Sequence, residues 1–144
     1  MERDKNNSAV LALDVGTVRI GLAISQRSTF LINLLPTLNN DFDFVANLKK
    51  IIENNNIDTL VVGMPRNMNG EKTKQSVIVE DFVNTNLVSL GLKIIYQDES
   101  LTSVKAEEIL NLRGKNYSKA EIDSVSASLI LEDYIDSLGK KYEI

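Results

Sequence analysis

Three acidic side chains make the strongest case for chemistry in this sequence. Asp14 follows an apolar run, Ala9 to Leu13, and precedes a Gly-Thr pair; Glu99 ends the string Lys93-Ile-Ile-Tyr-Gln-Asp-Glu99; Asp123 follows the Ser118-Lys-Ala-Glu121 pattern that opens a helix. They are far apart in the chain, yet each adjoins a strongly ordered apolar element, which suits a rigid site. If they converge, they repel one another unless cations sit between them. Two divalent ions bridged by carboxylates are a general apparatus for phosphodiester cleavage, one activating a water and the other stabilising the leaving oxygen.

The rest of the inventory narrows the chemistry in the same direction. The chain of 144 residues has no cysteine and no histidine. That removes disulfides, thiol catalysis, Cys-based metal sites and the Ser-His and Cys-His arrangements. Acid–base or metal chemistry must then rest on Asp, Glu, Lys, Tyr or water, an oxygen-rich set that favours magnesium or manganese. The net charge of −4 argues mildly against non-specific duplex binding but leaves room for a local basic rim. No stretch reaches the roughly 18 apolar residues of a membrane span, and the first eight residues are polar. The expectation is a cytoplasmic protein with no membrane partner.

Taken singly, each carboxylate has an ordinary explanation. An Asp before Gly-Thr caps a turn as well as it binds a metal. Glu99 reads as a solvated strand end, and Asp123 suits the favourable dipole of a helix's first turn. Asp98 rivals Glu99, because strand alternation lets only one of the two face a given side.

The elements that must position these groups follow from apolar patterning. Residues 1–8 form a polar lead-in. Ala9–Val15 reads as a strand buried on both faces, and Arg19–Ser25 as an antiparallel partner across a tight turn at Gly16, with Gly21 marking a bulge or a close backbone approach. Phe30–Leu35, closed by Pro36, is a third strand. A helix opens within Asn39–Asp43, buries Phe44, Val45, Leu48, Ile51 and Ile52, and ends at Asn54–Asn56. Thr59–Met64 is a short buried strand, parallel to the first because a helix precedes it. After a loop from Pro65 to Gly70, a helix over about Lys72–Val88 packs Val77, Phe82, Val83 and Leu87 inward. Gly91 caps it, Lys93–Glu99 is the fifth strand, Val104–Leu112 is a short helix ending at Gly114, and the last helix runs from its capping box to about Leu138. Without repeats or a linker, residues 1–144 make one domain.

Four strings in order, Leu13-Asp-Val-Gly-Thr-Val-Arg-Ile-Gly-Leu-Ala-Ile-Ser25, Val62-Gly-Met-Pro-Arg-Asn-Met-Asn-Gly70, Asp98-Glu-Ser-Leu-Thr-Ser103 and Ile122-Asp-Ser-Val-Ser-Ala-Ser-Leu-Ile-Leu-Glu-Asp-Tyr134, resemble the YqgF family of pre-16S ribosomal RNA nucleases and Holliday-junction-resolvase-like proteins. The resemblance spans about Val10 to Ile135. It implies an α/β, ribonuclease-H-like fold: a five-stranded mixed sheet, the first three strands antiparallel, with helices on both faces. It also implies that Asp14, Glu99 and Asp123 are the catalytic, metal-binding acids, with Mg2+ or Mn2+ as cofactor. Thr17, Arg19, Arg66, Lys72 and Lys74 then rim the site and hold phosphates of structured RNA or branched DNA, with the ribosome as a further partner. Ser100 departs from the family's Asp-Glu-Arg, removing an anchor near Glu99, which implies either lower substrate affinity or compensation by Arg66. Arg113, Lys115 and Lys119 keep a thin version of the family's basic run before the last helix.

The implied function is a metal-dependent nuclease acting on the 5′ end of pre-16S rRNA. The alternatives are a Holliday junction resolvase and a catalytically idle nucleic-acid-binding adaptor of the same fold. An ATP-dependent kinase of the sugar-kinase and actin superfamily shares the Asp-x-Gly-Thr opening, but that architecture needs two such domains and this chain has the length of one.

Overall fold

The computed structural model describes residues 7–65, 71–99, 102–112 and 118–142. Five strands, β1 (Ala9–Val15), β2 (Arg19–Gln26), β3 (Ile32–Asn39), β4 (Ile57–Pro65) and β5 (Lys93–Glu99), form one sheet in the order β3-β2-β1-β4-β5. β1 pairs antiparallel with β2, β2 antiparallel with β3, and β4 and β5 run parallel to β1. This is the mixed sheet that the tight hairpin and the later helix-separated strands imply.

Helices cover both faces because the central strands are apolar on both. Leu11, Leu13 and Val15 point into one layer with α1 (Phe44–Asn55) and α2 (Lys74–Asn86), where Phe44 and Phe82 pack with ring centroids 5.1 Å apart. Val10 and Ala12 point into the other layer, under Ala127, Ile130, Leu131 and Tyr134 of α4 (Lys119–Tyr142). The shorter α3 (Thr102–Leu112) packs on α4 through Ala106, Leu110 and Val125. Among the described residues, no helix is long and apolar enough to cross a membrane.

Three differences from the sequence-based expectation have a clear local cause. Pro36 lies inside β3 instead of closing it. β3 is an edge strand, and its register against β2 shifts between Ile20 and Leu22, so the missing N–H falls at a bulge. Val77 is 48% exposed, whereas Val79 is 1% exposed. The Thr73–Ser76 capping box starts α2 at Lys74, and that phase turns Ser76, Val79, Phe82 and Val83 inward. The polar lead-in also ends earlier, since Ser8 is buried and its carbonyl accepts a bond from the Arg27 N–H at 3.0 Å. Two local signals hold: Asn56 ends α1 in the left-handed region (φ 54°), and Ser118 and Glu121 exchange the two bonds of a capping box at the start of α4. Other bounds shift, with β3 starting at Ile32 and not Phe30, α3 at Thr102 and not Val104, and α4 running on to Tyr142.

At the sheet edge remote from Asp14, Arg27 holds β2 to β4. Its Nη2 donates to Asp58 Oδ1 and to Thr59 Oγ1, both at 2.9 Å. Burial pushes the Asp58 carboxyl upward, but hydrogen bonds from Arg27, Ser8 and Thr59 and the Arg27 charge outweigh it and hold the group below the usual carboxylate range.

Candidate active site

Asp14 occupies the end of β1 on the face that carries Val10 and Ala12, beyond the last apolar contact with α4. On neighbouring β4 the same face runs from Val61 to Gly63 and Pro65, so a position without a side chain lies next to the carboxylate. On the other side, Asp14 pairs with Gly21 of β2. A Cβ at Gly21 would overlap the backbone carbonyl of Asp123. The glycine therefore lets the first turns of α4 rest directly on β2, one strand away from Asp14. It is also where the β2–β3 register shifts, so both readings of Gly21, close approach and bulge, hold.

Asp14 and Asp123 consequently line one cavity of about 290 Å3, together with Gly16, Gly63, Pro65 and Gln75. Glu99 is the last residue of β5 and pairs in register with Pro65, which lines that cavity. Strand alternation assigns position 99 to the face of Ile95, which lies in the α4 layer, and Asp98 to the face of Ile94, in the other layer. Among the described residues no three acidic, histidine or cysteine side chains form a metal-sized group. The convergence seen between side chains is that of Asp14 and Asp123.

Arg19 reaches the same place from the first position of β2. Its Nε donates to Asp123 Oδ2 at 3.0 Å, with 28% and 27% of the two side chains exposed. The hairpin that carries it is tightly held. The Gly16 N–H donates to the Arg19 carbonyl at 3.0 Å, and a Cβ at Gly16 would come within 2.6 Å of that same oxygen. Asn40 clamps the turn from outside, its Nδ2 donating to the Gly16 carbonyl and its N–H to the Val18 carbonyl, each at 2.9 Å. Thr17 is exposed at the tip of this turn.

The remaining basic residues are less closely tied to the cavity. Lys74 is exposed at the first position of α2, next to Gln75. Lys72 is exposed and pairs with Glu80 Oε1 at 3.0 Å, beside Tyr96. Burial pushes the Tyr96 phenol up, the Glu80 charge adds to this, and Lys72 opposes it. Arg66, Ser100, Arg113, Gly114 and Lys115 lie outside the described residues. Gln75 and Asn40 were not singled out by residue type. The Thr73-x-x-Ser76 pattern signals the helix start that brings Gln75 to the strand ends, whereas nothing local marks Asn40 as the clamp of a turn so far before it in sequence.

Comparison with known proteins decides the family. A family model described as "RuvX: Holliday junction resolvase" matches residues 8–137. The chain belongs to the RuvX (YqgF) family. It is 38% identical over 136 residues to a Chloroflexus aurantiacus protein named "Putative pre-16S rRNA nuclease", covering 92% of this chain and 89% of the relative. A Sulfurihydrogenibium protein of the same name is 35% identical over 134 residues, with 92% of both chains covered. Among solved structures, Thermus thermophilus RuvC bound to a Holliday junction superposes with a TM-score of 0.57 at 12% identity, covering 92% of this chain and 96% of that one. At that identity the likeness is one of fold, and the fold of this RuvX member is of the RuvC-like, ribonuclease-H-like kind. The protein is a member of a nuclease family.

Proposed function

We propose that this RuvX member is a divalent-metal-dependent endonuclease that trims the 5′ end of pre-16S rRNA during ribosome assembly in the cytoplasm. The observation that carries the reading is the meeting of Asp14 and Asp123, from opposite ends of the chain, in one cavity at the C-terminal end of the parallel strands. Such an edge is where open α/β sheets present ligand sites. Both acids offer only oxygen donors, and Gly63, which lines the same cavity, adds no side chain to it, so the residues fit a hard cation such as magnesium or manganese.

On this reading Asp14 and Asp123 hold the ion, and Glu99 completes the set from the end of β5. When bound, the ion supplies an acidified water and neutralises charge on the phosphate. The protein's own groups do the rest. Arg19, Thr17 and Lys74 receive backbone phosphates on either side of the scissile bond, with Arg66 and Lys72 extending the track. The Asn40 clamp holds the Gly16 turn so that Asp14 and Arg19 keep their spacing. Hydrolysis adds water across one P–O bond, leaving a phosphate on one fragment and a hydroxyl on the other. The chain has no histidine to act as a general base, so proton removal falls to the carboxylates and to solvent.

Resolution of a Holliday junction is the second reading, favoured by the description of the matching family model. The deciding experiment incubates the protein in magnesium with end-labelled pre-16S rRNA and, in parallel, a four-way DNA junction. Site-specific cut RNA and an intact junction support rRNA processing. The reverse pattern transfers the assignment to resolution, and binding without cutting of either leaves a nucleic-acid adaptor.

A further inference from the structure

The Arg19–Asp123 contact does not fit a carboxylate that simply awaits an ion. One oxygen of Asp123 already has a cationic partner at 3.0 Å. Arg19 makes that bond through Nε, the inner edge of the guanidinium, and no other side-chain bond to the described residues uses its two Nη groups. As far as the described residues go, two nitrogens of a planar fork are thus open to a bidentate oxyanion. The backbone on both sides is fixed, by Gly21 beneath Asp123 and by the Gly16 and Asn40 bonds beside Arg19. Exchange of partners therefore falls to the two side chains, each more than a quarter exposed.

We propose that Arg19 is the resident cation of Asp123: it holds the carboxylate when no divalent ion is bound and gives it up for a backbone phosphate of the nucleic acid. The proposal rests on the reading of Asp14 and Asp123 as an ion-binding pair and adds the order of events. Without substrate, Arg19 offsets the mutual repulsion of the two acids and competes with the ion for Asp123. A phosphate entering the cavity is a bidentate partner for the Nη edge and draws the guanidinium outward. The freed carboxylate then completes the ion site beside the bound phosphate. Ion and nucleic acid thus raise each other's affinity, as linkage requires of any such coupling. Arg19 is a positioning residue here, acting on the ion through Asp123.

The test is a calorimetric titration of manganese alone into wild type, Arg19→Gln and Lys74→Gln, with no nucleic acid present. Removing the competitor raises the manganese affinity of Arg19→Gln, by roughly 5-fold if the pair is worth the upper end of a partly exposed contact. Lys74→Gln removes the same charge nearby without touching Asp123 and stays within about 2-fold of wild type. Unchanged or weaker manganese binding by Arg19→Gln overturns the proposal, since it makes Arg19 a support for Asp123 and not its competitor. An equal gain in Lys74→Gln overturns it too, because the effect is then one of general charge. If neither wild type nor Arg19→Gln binds manganese at millimolar concentration, the ion-pair reading of Asp14 and Asp123 falls and takes the proposal with it. A second titration, of a phosphorothioate-protected RNA hairpin in chelator, gives weaker binding by Arg19→Gln than by wild type if the Nη edge receives phosphate; equal binding contradicts the exchange.

Discussion

At the scale of single residues, the site depends on a glycine as much as on its acids. Gly21 leaves the space into which the Asp123 carbonyl fits. A methyl group there must push α4 off β2 or distort β2, because both neighbours are backbone. Gly21→Ala is expected to cost on the order of 1–3 kcal/mol, the usual penalty for overpacking a tight contact. It should also lower cleavage by far more than the remaining folded fraction explains. Urea denaturation and a rate measured well below the transition separate the two effects. Asp58 allows a second prediction at this scale, away from the chemistry. Its folded pKa is depressed, so its contribution to stability is present above the unfolded value of about 3.9 and is lost as pH falls through the lower folded one. Asp58→Asn should be less stable than wild type by about 1 kcal/mol near neutral pH, as for a partly exposed pair with good geometry. The gap should close once the pH drops below the wild-type group's folded pKa, as melting curves across pH will show.

At the scale of elements, the sequence was clearest where local rules act alone. The strand boundaries of β1, β2 and β5, the αL residue that ends α1 and the Ser118–Glu121 box all follow from patterns a few residues long. Pro36 and Val77 depart from the local pattern because their surroundings are set from a distance. An edge position and a bulge made Pro36 tolerable within β3, and the start of α2 at Lys74 rotated Val77 outward. The candidate site shows the same division. Asp14 and Asp123 could be named from motifs, and Gly21 could be marked as a close approach. The Arg19–Asp123 bond could not, because it exists only once α4 crosses β2. The capping box of α4 makes this dependence testable. Ser118→Ala removes the acceptor for the Glu121 N–H and should destabilise the fold by roughly 0.5–2 kcal/mol. Asp123 lies close behind that cap, so fraying should also weaken manganese binding, measurably but less than loss of the carboxylate itself.

At the scale of the whole molecule, one sheet divides the labour between its two ends. The Arg27–Asp58 pair ties β2 to β4 at the end where β1 begins, and the opposite end gathers Asp14, Asp123 and the terminus of β5. The chain's two most separated acidic motifs meet only because β1 is central and α4 returns across the face it shares with Asp14. The central claim is that this meeting is a metal-dependent phosphodiesterase site. Asn at position 14 keeps the shape and one carbonyl oxygen but cannot neutralise a divalent cation. The direct measurement is therefore the rate of site-specific RNA cleavage by Asp14→Asn in magnesium, with the melting temperature taken in chelator on the same preparation. The account predicts a loss of at least about 10²-fold in rate with the fold intact. Wild-type cleavage by a folded Asp14→Asn protein would contradict it.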